Sequence, residues 1–417
     1  MTIIPGLGVI PGHWSSVRAR RVLARQRRPV RPSDDTVTAF RDGQVTLRRK
    51  RRLEGFTEAL QEIGYHGCRT GDLVVHAMDG FAGAIGVAET DGKVSPVLHL
   101  YRSREGQVDL RFVAYVLRQT ARNGYVLSLA KGIRERSTSF DPASLADVAL
   151  PVPPLEEQRR IADFLDDQVA LLDRAVELRQ RQIALAKERR LAEVTGVYED
   201  ALRAEGGVRL GLLLRCLEQG WSPQCEDRVA EPGEYGVLKA GCVNGGIFRP
   251  DQHKALPSIE VPRLQYLICP GNLLMSRASG SLDLIGSAAV VPHDSPSNLI
   301  LCDKVYRLRL LPGNDAEFIA LMLASRPLRG AIKMGASGAA GMANNVPSGA
   351  IRRLAIPALP LNLQQSYRNA LLDKDLELAT TRGLLARSVE LLAERKRALI
   401  AAAVTGQFDV TTARAVA

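Results

Sequence analysis

The stretch from Leu150 to Gly196 reads LPVPPLEEQRRIADFLDDQVALLDRAVELRQRQIALAKERRLAEVTG, and a cruder copy of it runs from Ile356 to Gly406. At a constant offset Leu150-Pro151 falls on Ile356-Pro357, Pro154-Leu155 on Pro360-Leu361, Gln158 on Gln364 and Glu188-Arg189 on Glu394-Arg395. Val194-Thr195-Gly196 meets Val404-Thr405-Gly406 only after four extra residues. Each copy opens with prolines, which a helix tolerates only in its first turn, and then runs to its end without another. The pattern predicts one long helix per copy, the first from Leu155 to about Glu193.

In the first copy Phe164, Leu171, Leu178 and Leu185 recur at sevens, with Ala162, Val169, Val176 and Ile183 as a second row beside them. In the second copy Leu378, Leu385, Leu392 and Leu399 do the same, flanked by Leu384 and Leu391. Apolar rows at sevens specify a coiled-coil seam, and two such helices in one chain are each other's obvious partner. The apolar arc of the first helix is wider than a two-stranded seam needs. Its second row, Ala162, Val169, Val176 and Ile183, is therefore read as a docking surface for another protein.

Outward from the helices, the rest of the chain is also duplicated. Short apolar runs at Leu73-Val74-Val75, Ala84-Ile85-Gly86-Val87 and Val97-Leu98-His99-Leu100 read as strands, and Phe112 to Arg122 as a helix. Gly71-Asp72-Leu73-Val74 through Ile85-Gly86 overlays Gly271-Asn272-Leu273-Leu274 through Ile285-Gly286 without a gap, and Val305 to Leu308 and Glu317 to Ala324 supply the later strand and helix. Glu205-Gly206-Gly207 reads as a hinge. The expected organisation is a globular domain over 1–150, a long helix over 151–204, a second domain over 205–355 and a second long helix over 356–417. If each helix leads away from its own domain, side-by-side pairing makes them antiparallel, with pseudo-twofold symmetry. The fold class is α+β.

The length of 417 residues calls for more than one domain, and a composition 46% apolar and 24% charged is globular. The net charge of +11 lies mostly outside the nearly balanced first helix and points to a polyanion such as nucleic acid. The six cysteines form no CxxC pair, so a zinc site is not expected and a reduced, cytoplasmic setting is. MTIIPGLGVIPGHW lacks a basic leader, and no apolar run is long enough to span a bilayer, so no signal peptide and no membrane partner are expected.

Catalytic signatures are missing. The one Gly-Lys pair, Gly92-Lys93, is followed by Val94 and is no phosphate-binding loop. There is no (Asn/Asp)-Pro-Pro-aromatic loop of the amino-methyltransferase kind, the six histidines are scattered, and no GxSxG surrounds Ser276. His76 and His99, each set in an apolar run, read as strand residues.

LPVPPLEEQRRIADFLD followed by a long charged helix, with Gly132-Ile133-Arg134 and Phe140 before it, resembles the specificity subunit of type I restriction-modification systems. Asp42-Gly43-Gln44-Val45-Thr46 through Asp91-Gly92-Lys93-Val94-Ser95-Pro96 resembles that family's first target-recognition domain, and Gly271 to Gly286 with Asp303-Lys304-Val305-Tyr306-Arg307 the second. The second helix departs from the pattern at Leu361-Asn362-Leu363-Gln364-Gln365, and Val404-Thr405-Gly406-Gln407 restores it. The resemblance implies a non-catalytic subunit with two tandem target-recognition domains. Each reads one half of a split, asymmetric target in double-stranded DNA, and the helices set the spacing and dock two modification subunits. Restriction (nuclease-translocase) subunits join for cleavage. No cofactor is implied in this chain; S-adenosylmethionine, ATP and Mg belong to the partners.

Phosphate contacts come from clustered Arg and Lys, and base contacts from Arg, Asn, Gln or Ser on loops. The DNA-binding candidates are Arg48, Arg51, Lys131, Arg134 and Arg136 in the first domain, and Lys239, Asn244, Arg249, Arg277, Asn344 and Asn345 in the second. The run from Arg48 to Arg52 also fits a solvated loop, and the Gly-rich 335–349 stretch an inert linker. A scaffold without a DNA role and an enzyme of unrecognised signature remain as other readings of the whole chain. The target bases are not legible, because recognition loops carry no one-to-one code.

Overall fold

A computed structural model describes residues 2–51, 62–129, 139–337 and 344–410. The chain divides into two compact units, Met1–Arg179 with Arg387–Ala417, and Gln180–Ala386. The division falls within both long helices, so each unit is one globular part plus one half of each helix.

The first helix spans Leu155–Glu205. Glu156 and Glu157 in its first turn meet the positive end of the helix dipole. It stops where Gly206 takes φ +72 and its amide bonds back to the Leu202 carbonyl at 3.0 Å. The second helix spans Leu361–Val404. The first runs on beyond Glu193 because Val194, Tyr198 and Ala201 are buried in the core of the second unit. Gly206-Gly207 is accordingly no hinge: Gly207–Arg209 pairs antiparallel with Ala355–Pro357, with Val208 opposite Ile356.

The helices pair antiparallel within each unit. In the first, Lys396 meets Asp173 at 2.6 Å; in the second, Arg190 meets Asp375 at 2.5 Å. Arg190 and Lys396 are equivalent positions of the repeat.

Each unit carries a four-stranded antiparallel sheet with the same spatial order. In the first, the strands lie as Leu23–Gln26, Leu98–Ser103, Leu73–His76 and Ile85–Val87; in the second, as Leu214–Gln219, Val305–Leu310, Leu273–Ser276 and Ala288–Val290. Helix Leu110–Arg122 packs on the first sheet and Ala316–Leu323 on the second. The duplication extends to topology, but the copy of the Ile85–Val87 strand, expected without a gap at Ile285-Gly286, lies three residues further on at Ala288–Val290.

A buried glutamine fastens each globular part to its helix in the same way. Gln158, fully buried, accepts the Asp109 amide at 2.9 Å and donates to the Pro153 carbonyl at 2.8 Å. Gln364, 4% exposed, accepts the Asp315 amide at 2.8 Å and donates to the Leu359 carbonyl at 2.8 Å. Asp109 and Asp315 each cap the helix that follows with their carboxylates. Buried amides without a partner are costly, so a glutamine reaching both a donor and an acceptor suits this junction and no apolar residue does.

The face assignment of the first helix differs from expectation. Ala162 is fully buried in the core of the first unit with Ile161 and Leu165, and Val169 packs against that core. Val176 and Ile183 are half-buried. Leu171, Leu178 and Leu185 are instead 64%, 45% and 61% exposed. Ala162, Val169, Val176 and Ile183 thus face inward, and the large leucines are left outside. The reason is packing. A helix held at once against a globular domain and a second helix puts small and β-branched residues where backbones approach closely, and residue size in the sequence does not report that. On the second helix Leu378, Leu385, Leu392 and Leu399 are half-buried as a seam requires, and Leu384 and Leu391 are exposed.

Candidate nucleic-acid interface

The first-domain candidates are largely spoken for. Arg48 opens a single 3-10 turn, Arg48–Lys50, and is half-buried, with its amide bonded to the Thr36 carbonyl at 2.9 Å. Arg51 pairs with Asp42 at 2.7 Å, bonds Gln44 at 3.1 Å and lies 4.3 Å over the Phe40 ring. A guanidinium held by a carboxylate and a ring is a poorer phosphate ligand than a bare one. Lys131, Arg134 and Arg136 lie outside the described residues.

Better-placed cations occur in the basic Arg18 to Arg31 stretch, which the candidate set left out. Arg28 is consumed by Asp72, whose fully buried carboxylate also takes Arg102. Arg20 pairs with Asp147 and Arg31 with Asp91. Arg25 bonds His99 at 3.4 Å and Arg27 is exposed, and neither has a carboxylate partner among the described residues. Their clustering with other arginines was the available signal. Burial, and then the charge of Arg25, depress His99 to about 4, so at neutral pH the ring is uncharged beside that guanidinium.

In the second unit the six candidates form two groups on adjoining elements. Lys239, Asn244 and Arg249 belong to one loop, closed by Lys239 N–H to Gln252 O at 2.8 Å and Arg249 N–H to Cys242 O at 2.7 Å. Gly245 and Gly246, both at positive φ, make its turn, and the Arg249 guanidinium donates to the Asn244 carbonyl. Arg249 is therefore a brace, while Lys239 and Asn244 are half-exposed.

Arg277, Asn344 and Asn345, far apart in sequence, come together. Ala278–Ser279 pairs with Asn344–Asn345, and the Val346 amide bonds to the Arg277 carbonyl at 3.0 Å. The Arg277 guanidinium donates to the Asp303 carbonyl at 3.1 Å and lies 5.9 Å from the Tyr306 ring centroid. The loop over Ala240–Gly246 packs against Leu273–Ser276 and Ala278–Ser279, so the two groups lie on adjoining elements of the second unit. The first unit has the same closure, with the Phe140 amide on the Ala77 carbonyl at 2.8 Å. The scaffold position is shared, and the side chain on it is arginine in one unit and buried alanine in the other.

Among the described residues no cluster of His, Cys, Asp or Glu could hold a metal, and no helix is long and apolar enough to cross a membrane.

No family model matches the chain. It is 30% identical over 159 residues to the type I restriction enzyme EcoEI specificity subunit of Escherichia coli, covering 37% of this chain and 26% of that protein. It is 25% identical over 236 residues to the type I restriction enzyme EcoKI specificity subunit of Escherichia coli strain K12, covering 53% of this chain and 49% of that one. The chain thus spans between a quarter and half of the length of these curated relatives. Among solved structures, one describing complex assembly and conformational transition of the type I R-M system aligns over 96% of this chain and 99% of its own, with a TM-score of 0.65 at 16% identity. The similarity to type I restriction enzyme specificity subunits that the sequence led us to expect is found over these stretches, and the fold is similar to that of the type I R-M structure.

Proposed function

We propose that this chain is the DNA-recognition subunit of a type I restriction-modification complex and has no catalytic activity of its own. Each globular part reads one half of a bipartite, asymmetric target in double-stranded DNA. The helix pair sets the gap between the halves and docks two modification subunits, and restriction subunits join that core in the cytoplasm. S-adenosylmethionine, ATP and Mg are bound by those partners.

The observation that carries this reading is the repeat itself. Two units share sheet order and the buried glutamine clamp yet differ at the equivalent Ala77 and Arg277. A common frame with unlike faces is what reading two different half-sites requires. The net charge of +11 suits a phosphate backbone. The outward row Leu171, Leu178 and Leu185 gives the partner subunits an apolar surface.

The test is base-resolved mapping of methylated DNA in cells that carry this chain with its modification subunit, against cells lacking it. A two-part, non-palindromic motif that vanishes with the chain is expected. Methylation independent of the chain would sink the reading, and methyl transfer by the purified chain alone would make it an enzyme instead.

A further inference from the structure

The first unit contains a cleft of about 640 Å³ between helix Leu110–Arg122 and the two long helices. Phe81, Leu172 and Leu392 contribute to an apolar lining. Five cations, Arg41, Arg118, Arg122, Lys396 and Arg397, face only two carboxylates, Asp42 and Asp173.

Pairing widens the imbalance. Lys396 is held by Asp173 at 2.6 Å, Arg41 by Asp79 at 2.8 Å, and Asp42 is taken by Arg51 at 2.7 Å. Arg118 donates to the Asp42 main-chain carbonyl at 3.0 Å and covers the Tyr115 ring, and Arg397 donates to the Ala393 carbonyl. Arg118, Arg122 and Arg397 therefore have no carboxylate partner among the described residues. Burial, and then the charges of Arg118 and Arg397, lower the pKa of Arg122, as expected of a cation placed among cations.

The duplicate supplies an internal reference. The corresponding helices of the second unit enclose a smaller cleft of about 350 Å³ whose charges balance, Arg190 and Arg382 against Glu317 and Asp375. The excess is a property of one unit and not of the fold. It is also unfavourable as it stands, because unpaired like charges repel in a partly sheltered site. An occupant supplying negative charge would relieve it.

We infer that the cleft of the first unit is a docking site for an acidic, amphipathic segment of a protein partner. The apolar lining decides against nucleic acid: a duplex presents phosphates on a rod too broad for a slot between helices, and phosphates gain nothing from Phe81, Leu172 and Leu392. A peptide carrying Glu or Asp beside Leu or Val places carboxylates on Arg118, Arg122 and Arg397 and apolar side chains on the floor. One chain would thus hold such a segment at one unit only. The inference does not depend on DNA recognition and stands or falls separately from it.

The test uses the full chain and three probes: a synthetic helical peptide with Glu and Leu on one face, its Glu-to-Gln analogue, and a random-sequence DNA duplex, followed by fluorescence anisotropy at low salt. The acidic peptide should bind the wild type and the Gln analogue should bind on the order of tenfold more weakly. Arg122→Glu with Arg397→Glu should weaken the acidic peptide by at least about tenfold, and Arg122→Gln with Arg397→Gln by less, with duplex affinity within about twofold of wild type. Arg382→Glu in the second unit should change nothing. Peptide affinity untouched by the double substitutions, or lost equally in Arg382→Glu, overturns the proposal. So does a loss confined to the duplex, which would give the cleft to nucleic acid.

Discussion

The two units agree where their globular parts meet the helices and disagree where they face outward. Gln158 and Gln364 make the same pair of bonds, and the closure at residue 77 recurs at 277. Equivalent Asp72 and Asn272 both accept the amide three residues before them and differ only in the guanidinium groups they gather. Asp72 gathers Arg28, Arg102 and the Arg69 amide at 2.8 Å, and Asn272 accepts the Cys269 amide at 3.2 Å and reaches Arg307 at 3.3 Å. The difference teaches which parts of a duplicated chain are tied down by packing. Residues that satisfy buried main-chain groups cannot drift without leaving a donor unpaired, whereas side chains on the outer loops can.

The sharpest test of that division sets the buried row of the first helix against the exposed one. Ala162→Asp buries a carboxylate in the core of the first unit and should cost about 3 kcal/mol, read as a lower midpoint in urea. Leu171→Asp, at a position 64% exposed, should stay within about 0.5 kcal/mol of wild type. Under the proposed function it should still reduce recovery of the modification subunit with the chain. Equal destabilisation by both would mean that the two faces are not distinct.

A smaller effect separates the two equivalent turns. Asp72→Ala removes a buried carboxylate from two guanidinium groups, but Arg28 and Arg102 retain access to water, so the loss should be about 2 kcal/mol. Asn272→Ala should cost about 1 kcal/mol, because Arg307 keeps Glu218 and the carbonyls of Leu267 and Gln265. Urea denaturation of the two variants checks the order, and a larger loss at Asn272 would reverse this account of the turns.

Much of the frame was legible in the sequence for physical reasons. Proline at the helix entries, the apolar runs in Leu73–His76 and Leu98–Ser103, and the offset joining Gln158 to Gln364 are local signals, and these elements are present, the first helix running on to Glu205. The inward face of the first helix was not legible. Two apolar rows at sevens are equivalent until a neighbour chooses between them, and the neighbour, in the first unit, is a domain built from Ile4, Trp14 and Phe112 far upstream. The interface was legible by residue type and not by engagement. Arg51 and Arg249 look as available in sequence as Arg27, and only the fold pairs the first with Asp42 and the second with the Asn244 carbonyl.

The faintest contrast between the units is their response to acid. His99 titrates near 4 in the folded chain, chiefly through burial and then through Arg25, with His66 and His76 adding positive influence and Asp141 opposing them. An unfolded histidine titrates near 6.5, so between about pH 6.5 and 4 the unfolded state binds a proton that the folded state does not. Stability is unaffected above that window and falls as pH drops through it. The strand position in the second unit belongs to Tyr306 and not to a histidine. Because His99 is only half-buried, solvent screening keeps the penalty below about 1 kcal/mol. His99→Phe should therefore flatten the decline in unfolding free energy between pH 6.5 and 4, leave the value at pH 8 nearly unchanged, and make local hydrogen exchange of Leu98–Ser103 no faster at pH 5 than at pH 7 once intrinsic rates are divided out. An unaltered acid slope in that variant would assign the pH dependence to other groups and leave the two sheets equivalent in this respect.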